Sequence, residues 1–327
     1  MSSGAEPVLA VSCGDPAGIG GEILAGAWAR LRGEAPFVLI GDADWAGGFG
    51  APAIRVPGPE AAAAAIGEGV PVVHRPLAER PTPGRPSGAA AAAVIESVET
   101  AVAWARAGRV AGVVTLPVSK RVLAEGAGFA HPGHTEFLAA LTGAPRPVMM
   151  LAGPSMRVVP ATIHVPLAEV AERITVPLLL ETARILAADL GRWFGLARPR
   201  IAVAGLNPHA GEGGRMGREE IETVAPAVEA MRAEGIDATG PVPGDALFTP
   251  RARAGWDAAL CMYHDQALIP LKALDFDRGV NVTLGLPIVR TSPDHGTAFD
   301  IAGRGIADPT SLVEALRLAA AMAARAR

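Results

Sequence analysis

Three histidines stand just past short apolar runs that are typical of buried strands. His164 follows VVPATI, His209 follows IAVAGLNP and His264 follows ALCMY. Parallel sheets bind ligands outside the carboxyl ends of their strands, where loops converge, so these imidazoles are expected to meet. Three neutral imidazoles with one open position describe a catalytic divalent-metal site. The alternative, three separately hydrogen-bonded structural histidines, remains open because the spacings are long-range.

The residue after the third histidine is a carboxylate, Asp265. A carboxylate beside a ligating imidazole accepts its second ring N–H and so orients it. The alternative is that Asp265 caps a helix beginning near Ala267.

The stretch PGHTEFL at 132–138 predicts an anion site. It places His134 and Thr135 at the start of a helix, where free N–H groups and the helix dipole favour phosphate or carboxylate. Thr135 as a simple helix cap is the alternative.

Lys272 lies in the apolar setting IPLKAL, and Lys120 is the only other lysine. A half-buried lysine has a lowered pKa and serves as an acid or a base, whereas snorkelling to solvent is the alternative. Asn281 and Arg290 follow in GVNVTLGLPIVRT as further polar candidates, and an ordinary surface ion pair is the alternative for Arg290.

The glycine-rich stretch VSCGDPAGIGGEI at 11–23 resembles a nucleotide-binding turn only in outline. The dinucleotide fingerprint requires glycine where Ile23 stands, and the phosphate loop requires a lysine that this stretch lacks. We therefore predict a strand-to-helix turn whose glycines serve the backbone, with Asp15 facing the site.

Composition excludes several classes of protein. The chain has 327 residues, is 50% hydrophobic and carries a formal charge of -4, which suits two packed domains. It lacks a Lys/Arg-dense segment, so nucleic acid is not an expected partner. The sequence shows neither a long purely apolar run nor a secretory signal, so no membrane is expected and the cytoplasm is the predicted location. Cys13 and Cys261 are too few for a disulfide framework or a thiolate metal cluster.

Short apolar runs alternate with longer helical patterns, which predicts βαβ units, an α/β fold and a mostly parallel sheet. The predicted strands are 8–12, 37–40, 110–115, 148–152, 157–163, 201–204, 258–263 and 280–283. The predicted helices are 21–30, 88–107, 118–124, 136–141, 167–194, 218–233, 268–274 and 311–325.

The stretch 291–309, TSPDHGTAFDIAGRGIADP, is too rich in loop formers and polar groups for a core element. It resembles the HGxAxDIAGxGIAxP loop of the isocitrate and isopropylmalate dehydrogenase superfamily, which holds the adenosine side of NAD or NADP. Within that superfamily the whole chain is similar to the 4-hydroxythreonine-4-phosphate dehydrogenase family. The motifs that carry this similarity are GDPAGIG at 14–20, LPVSK at 116–120, PGHTEFLA at 132–139, GLNPHAGEGG at 205–214, MYHDQALIPLKAL at 262–274 and VNVTLGLPIVRTSPDHGTAFDIAGRG at 280–305.

The resemblance implies a homodimer of two α/β/α domains, with an active-site cleft between domains at the dimer interface. We expect a cofactor-side domain of residues 1–143 plus 285–327 and a metal and dimerisation domain of residues 144–284. It implies NAD or NADP and one divalent metal, zinc, cobalt or magnesium, per active site. The implied metal ligands are His164, His209 and His264; the implied substrate contacts are His134, Thr135, Lys272, Asn281 and Arg290; the implied cofactor contacts are His295, Gly296, Thr297, Asp300 and Asp308.

The implied reaction is NAD(P)-linked oxidation of the C3 hydroxyl of 4-phosphooxy-L-threonine in pyridoxine phosphate biosynthesis. The β-keto acid product, 2-amino-3-oxo-4-phosphooxybutanoate, loses CO2 to give 3-amino-2-oxopropyl phosphate. We expect Lys272, or Asp265 through a water, to handle the hydroxyl proton. Gly21 departs from the family pattern, which has proline there, and GDALF at 244–248 replaces ADTLF.

Two rival functions remain. A dehydrogenase of the same superfamily acting on phospho-D-threonate, phospho-D-erythronate or a cis-dihydrodiol dicarboxylate would share the metal site and the cofactor loop. A three-histidine metal hydrolase would share the metal site, but it has no use for a dinucleotide loop.

Overall fold

The computed structural model describes residues 8–131 and 133–326, and these form an α/β protein. The strands are β1 Leu9–Ser12, β2 Phe37–Gly41, β3 Ala53–Arg55, β4 Val70–His74, β5 Val113–Thr115, β6 Val148–Ala152, β7 Arg157–Pro160, β8 Arg200–Ala204, β9 Asp237–Val242, β10 Ala258–Cys261, β11 Val280–Leu284 and β12 Arg290–Pro293. The α-helices are α1 Gly20–Leu31, α2 Ala43–Ala46, α3 Ala62–Ala65, α4 Ala91–Arg106, α5 Lys120–Ala127, α6 His134–Thr142, α7 Val170–Arg173, α8 Val176–Phe194, α9 Ala225–Ala233, α10 Gly244–Leu247, α11 Pro250–Arg253, α12 His264–Asp275 and α13 Thr310–Arg325.

The chain forms two compact units. The first consists of Met1–Pro147 with Leu286–Arg327, and the second of Val148–Gly285. We call them unit 1 and unit 2.

Unit 1 is built on parallel strands in the order β3-β4-β2-β1-β5-β12. Every residue of β1 and β2 is buried. Because alternate side chains of a strand point to opposite faces, both faces of these strands must be covered. Helix α4 packs against β1 and β2, and α13 packs against β5 and β12. The loops that follow the carboxyl ends of β1 and β5 are therefore presented by a rigid core.

Unit 2 has the strand order β11-β6-β7-β10-β8-β9. Strand β6 runs antiparallel to β11 and β7, whereas β7, β10, β8 and β9 pair in parallel. Helix α12 packs against β7 and β10, and α8 packs against β6 and β11. Leu151, Val158, Ala259 and Leu268 lie in one buried apolar cluster that joins this sheet to α12. The predicted α/β class with mostly parallel strands is thus confirmed.

The predicted helix over 167–194 is wrong because the chain breaks at Ile174 and Thr175. Ile174 and Thr175 have extended backbone, and the Thr175 hydroxyl accepts the N–H of Leu178 at 3.3 Å. Pro177 occupies the first turn of the new helix α8, where its missing N–H costs nothing. The sequence TVP was the overlooked stop-and-start signal.

Two further predictions need correction. Strands β3, β4, β9 and β12 were missed, since they are three to six residues long and three of them contain proline, which pattern reasoning assigns to turns. Helix α12 begins at His264, four residues before the predicted Leu268.

One helical stretch, Gly88–Arg106, is long and apolar enough to cross a membrane by length and composition alone. Its buried residues include Val94, Val98 and Val102, and the helix packs on β1 and β2. These contacts account for its apolar character as that of a core helix of unit 1.

Candidate functional site

The loops that carry the three predicted metal histidines follow neighbouring parallel strands of unit 2. His164 lies after β7, His264 after β10 and His209 after β8, and β10 pairs with both β7 and β8. The sequence therefore placed these histidines correctly at one edge of one sheet.

His164 and His264 are brought together. Their ring centroids are 6.0 Å apart, with the planes inclined by 40°. The loops beneath them are joined by backbone bonds, from Ala161 N–H to the Cys261 carbonyl at 2.8 Å and from Thr162 N–H to the Met262 carbonyl at 3.2 Å. The Thr162 hydroxyl donates to the same Met262 carbonyl at 2.8 Å. The spacing of the two imidazoles is thus fixed by the sheet.

Asp265 orients the imidazole of His264. The Nδ1 atom of His264 lies 2.7 Å from Oδ1 of Asp265, so the carboxylate accepts the Nδ1–H and leaves Nε2 available as a ligand atom. The alternative of Asp265 as a helix cap is wrong, because Tyr263 is the cap residue and Asp265 lies inside the first turn of α12.

His209 is not part of this pair. Its Nδ1 lies 3.1 Å from Oε2 of Glu212 within the segment Pro208–Gly214. Among residues 8–131 and 133–326, no group of three or more His, Cys, Asp or Glu side chains is arranged to hold a metal ion. The structure therefore brings two of the three predicted ligands together, and within the described residues His209 does not join them in a metal-binding group.

The backbone of the His209 segment is strained. His209, Ala210 and Glu212 have φ values of 53°, 50° and 44°, a region that non-glycine residues rarely adopt. Each such residue costs on the order of 1–3 kcal/mol, and such strain concentrates at functional sites. This observation favours a functional role for the loop.

The base of the His209 segment is anchored by residues that the sequence reasoning missed. The buried Glu220 accepts the backbone N–H of Asn207 at 2.7 Å and its side-chain amide at 3.0 Å. Gln266 accepts the Met262 N–H and donates to the Gly205 carbonyl, both at 2.7 Å. Gln266 thereby ties the start of α12 to the end of β8, and its position two residues after His264 was the available signal.

Two predicted substrate residues also lie in unit 2. Lys272 is half-buried on α12, eight residues after His264, and Asn281 is half-buried in β11. The half-buried state of Lys272 fits the predicted acid–base role better than full solvent exposure would.

Unit 1 holds the other predicted substrate residues. His134 and Thr135 open α6 as predicted, with Gly133 as the cap residue. The capping alternative for Thr135 is therefore wrong. The Nε2 atom of His134 is buried and has no hydrogen-bond partner among the described residues. Burial lowers the pKa of His134 to about 3, and the charges of Arg290 and Lys120 act in the same direction.

Arg290 is buried rather than part of a surface ion pair. Only 4% of it is exposed, and its Nη2 donates to the Thr115 hydroxyl at 2.6 Å. Burial lowers the pKa of Arg290 to about 10, so the group stays charged at neutral pH. Ser12 pairs in register with Thr115, and its buried hydroxyl has no partner among the described residues. Ser12 and Thr115, the polar last residues of β1 and β5, were missed.

Lys120 is a second cation at this position. Its Nζ lies 3.3 Å from the point where a Cβ atom of residue 133 would sit, beside the amino end of α6. A helix amino terminus, a buried guanidinium and an ammonium group together suit a phosphate. One signal for Lys120 was visible in the sequence, since it is one of only two lysines in the chain.

The segment 294–309 between β12 and α13, here named the distal loop, carries all the predicted cofactor residues. The buried Nε2 atom of His295 has no partner among the described residues, and nothing lies within 4 Å of a Cβ built on Gly296. Thr297 is half-buried and Asp300 is exposed. Asp308 is already engaged, because its Oδ1 accepts from the N–H and hydroxyl of Thr310. An orphaned ring nitrogen beside open space fits a polar ligand such as a dinucleotide.

The glycine-rich turn near the amino terminus lies directly against the distal loop. Ile19 N–H donates to the Thr297 carbonyl at 3.0 Å, and a Cβ on Gly18 would lie 2.7 Å from that same oxygen. Asp15 is buried, accepts the Ala17 N–H at 3.1 Å, and has a pKa raised by burial. The turn therefore supports the predicted cofactor loop. Comparison of the turn with the two phosphate-binding motifs did not reveal this supporting role.

The departure at Gly21 also has a physical reason. A Cβ at this position would lie 2.0 Å from the Phe49 ring, so Phe49 fills the space that a larger residue 21 would occupy.

Comparison with known proteins adds the chemistry. Residues 41–319 match the protein family described as "Pyridoxal phosphate biosynthetic protein PdxA". A 4-hydroxythreonine-4-phosphate dehydrogenase from Roseobacter denitrificans is 53% identical over 330 residues, covering 99% of each chain. The crystal structure of a 4-hydroxythreonine-4-phosphate dehydrogenase from Klebsiella pneumoniae is 39% identical, covers 98% of this chain and 99% of that one, and superposes with a TM-score of 0.89.

A terephthalate 1,2-cis-dihydrodiol dehydrogenase from Burkholderia xenovorans is more distant. It is 32% identical, covers 96% of this chain and 98% of that one, and gives a TM-score of 0.65. The match to residues 41–319 and the full-length identity above show that this chain is an oxidoreductase and belongs to the pyridoxal phosphate biosynthetic protein PdxA family.

Proposed function

We propose that the chain oxidises the C3 hydroxyl of 4-phosphooxy-L-threonine with NAD or NADP in pyridoxine phosphate biosynthesis, as a cytoplasmic enzyme. The 2-amino-3-oxo-4-phosphooxybutanoate so formed loses CO2 to give 3-amino-2-oxopropyl phosphate. The 53% identity over 99% of both chains with a 4-hydroxythreonine-4-phosphate dehydrogenase carries this proposal.

His134, Thr135 and Arg290 hold the phosphate end of the substrate in this proposal, with Lys120 as an added cation. The buried guanidinium of Arg290 is a fixed positive charge, and the neutral His134 offers either a donor or an acceptor at Nε2. Asn281 and Lys272 are the proposed substrate contacts of unit 2. Because His134 is neutral and Arg290 is charged, the site suits a phosphate, and without substrate it holds one buried positive charge rather than two.

Lys272 accepts the hydroxyl proton in the proposed reaction, with Asp265 through a water as the second candidate. Asp265 is already hydrogen-bonded to His264, which makes it better suited to orienting that imidazole. A dinucleotide held by His295, Gly296, Thr297 and Asp300 would supply the hydride acceptor for C3, and a divalent metal held by the histidines would supply positive charge beside the substrate oxygen. Loss of CO2 then breaks the bond between the carboxyl carbon and C2, and Lys272 returns its proton to C2.

The donor set of the metal site favours zinc or cobalt over magnesium. Imidazole nitrogens suit zinc and cobalt, whereas magnesium prefers oxygen ligands. His164 and His264 supply two such nitrogens at a fixed spacing, which fits part of a three-histidine site.

We propose that His209 of a second copy completes this group, so that the active site forms in a homodimer. His164 and His264 lie together in one chain, whereas the His209 Nδ1 lies 3.1 Å from Glu212, and the described residues form no group of three metal-binding side chains. Helix α12, which begins at His264, also exposes apolar side chains: Ile269 is 63% exposed, and Phe276 just after the helix is 72% exposed. An exposed apolar stripe beside an incomplete ligand group supports burial against a second copy.

His295, Gly296, Thr297 and Asp300 contact the dinucleotide in this proposal. Asp308 is the weakest of the predicted contacts, because it already binds Thr310 and pairs with Arg30 at 3.5 Å.

The second candidate function is oxidation of a phospho-D-threonate, a phospho-D-erythronate or a cis-dihydrodiol dicarboxylate. The observation that supports this second candidate is the 32% identity with a terephthalate cis-dihydrodiol dehydrogenase. Arg290 and Lys120 lie beside α6. These cations favour a phosphorylated substrate over a dicarboxylate diol because a phosphate group concentrates more negative charge than a carboxylate. A metal hydrolase has no role for the distal loop.

The test is a substrate panel with the purified protein. 4-Phosphooxy-L-threonine, 4-phospho-D-threonate, 4-phospho-D-erythronate and a terephthalate cis-dihydrodiol are supplied in turn with zinc or cobalt and each dinucleotide, while reduced cofactor is followed by absorbance. We expect the highest kcat/KM with 4-phosphooxy-L-threonine. Turnover with one of the other acids alone would overturn the proposed substrate and leave the family assignment intact.

A further inference from the structure

The turn before α1 and the helix itself present four positions, each four residues after the last, to the distal loop. At Gly18 a side chain would collide with the Thr297 carbonyl, and at Gly26 it would lie 2.7 Å from the Pro309 ring. Between them Glu22 binds the loop backbone, and beyond them Arg30 pairs with Asp308 at 3.5 Å. One stripe of unit 1 therefore follows the loop from its beginning to its end.

Glu22 makes the most direct polar contact of the four. Its Oε1 accepts the N–H of Gly303, and its Oε2 accepts the N–H of Gly305 at 3.0 Å. Both glycines lie in the left-handed region, with φ values of 80° and 68°. Backbone N–H groups that converge in such a turn form an anion-binding concavity. Here the protein supplies the anion itself, as the carboxylate of Glu22.

The contacts of Glu22 lie in the middle of the segment that carries the predicted cofactor residues. Within the loop, the Ile301 N–H donates to the Ala298 carbonyl at 3.1 Å and the Arg304 N–H to the Ile301 carbonyl at 3.2 Å, which are local turns. A loop that is ordered before the ligand arrives spares the ligand the entropic cost of ordering it. Charge-assisted bonds from a carboxylate to two N–H groups are stronger than neutral ones, so removing the charge frees the loop.

We propose that Glu22 is a positioning residue for the dinucleotide, because its carboxylate fixes the distal loop in the conformation that receives the cofactor. This inference rests on the proposed function. It gives the GGEI end of the amino-terminal turn a role in cofactor binding that does not involve contact with a phosphate.

The test compares Glu22→Gln with a matched control, Glu60→Gln. Glu60 is an exposed carboxylate of the same unit that binds Arg109 through both oxygens at 2.8 and 3.1 Å. Two measurements are made on the purified full-length protein: the dissociation constant of each dinucleotide by calorimetry, and amide hydrogen exchange of peptides covering 294–309. The substrate KM and kcat at saturating dinucleotide are measured as well.

For Glu22→Gln we expect dinucleotide binding to weaken about tenfold and exchange at Gly303 and Gly305 to accelerate, with kcat and the substrate KM within about twofold of wild type. Glu60→Gln should match wild type in every measurement. If Glu22→Gln does not fold, Glu22→Asp replaces it, and its shorter side chain should give a smaller loss of the same kind.

Two results overturn the inference alone: wild-type dinucleotide affinity in a Glu22 variant, or equal losses in kcat, substrate KM and dinucleotide affinity. The second would mean general damage to the fold. Absence of dinucleotide binding by the wild-type protein would overturn the proposed function and the inference together.

Discussion

The distal loop of unit 1 and the His209 segment of unit 2 are both irregular, and both carry predicted ligand-binding residues. The distal loop is held by bonds from within its own unit, namely from Ile19 and Glu22. The His209 segment is anchored at Asn207 by Glu220, but its tip has a left-handed backbone, and among the described residues its histidine completes no three-residue metal group. The distal loop is thus anchored within its own unit, whereas the proposed metal site requires a third histidine beside His164 and His264.

The two regions differ in what a single chain supplies for the proposed binding site. A cofactor loop requires fixed backbone, which neighbouring residues provide. A three-histidine metal site requires several side chains at one point, and the chain brings two of the proposed ligands, His164 and His264, together. The strain at His209, Ala210 and Glu212 is of a size that binding of a metal or a second subunit readily offsets.

The largest effect tests whether the metal site is shared between subunits. His209→Ala and His264→Ala should each lose activity about a thousandfold or more, because each removes a metal ligand. A mixture of the two inactive proteins, dissociated and reassociated, should recover activity, since half of the mixed dimers' sites contain no substitution. Random pairing predicts about a quarter of wild-type activity. A mixture that stays inactive would show that each site draws all its histidines from one chain.

The next effect concerns proton transfer. Lys272→Met should lower kcat about 100- to 10,000-fold, the range of general acid–base catalysis, while zinc content by atomic absorption stays at the wild-type level. Lys272→Arg keeps the positive charge, but an arginine cannot give up its proton and so cannot act as a base; this variant should be similarly slow. A Lys272→Met enzyme with near-wild-type kcat would remove Lys272 from the mechanism.

A smaller effect is expected in the anion site of unit 1. Lys120→Met should raise the substrate KM about tenfold and leave kcat nearly unchanged, since an exposed cation contributes binding rather than chemistry. Lys120→Arg should restore most of the affinity, and Arg121→Met, an exposed cation paired with Glu125, serves as the control. An unchanged substrate KM in Lys120→Met would exclude Lys120 from the phosphate site.

The smallest effect is on stability. The folded-state pKa of His134 is about 3, below its ordinary value of 6.5, so the unfolded chain binds one more proton between these values. This group therefore stabilises the fold above about pH 6.5 and loses that contribution as pH falls toward 3. The difference in thermal midpoint between wild type and His134→Gln should shrink from pH 7.5 to pH 5. A difference that is constant with pH would mean that His134 is not buried as a neutral group.

The sequence predicted much of this arrangement because strand ends are local features. Apolar runs located β7, β8 and β10, and a histidine after each was visible at once. It did not predict that β10 lies between the other two, nor which histidines would meet, since those depend on strand order. The short proline-containing strand β12 was missed, and with it the buried position of Arg290.

The contacts least accessible to pattern reasoning join distant parts of the chain. Glu22 and Gly303 are 281 residues apart, and neither type nor spacing indicates the bond between them. The hydroxyls of Ser12 and Thr115 are each ordinary at the end of a strand. They become notable only when the register pairs them and Arg290 reaches Thr115.

We propose that this chain couples oxidation of a phosphorylated hydroxy amino acid to its decarboxylation. The most direct test is to supply 4-phosphooxy-L-threonine, zinc and each dinucleotide to the purified protein and to measure reduced cofactor and CO2 together. We predict that one equivalent of CO2 appears for each equivalent of reduced cofactor. Absence of reduced cofactor, or its formation without CO2, would contradict the claim.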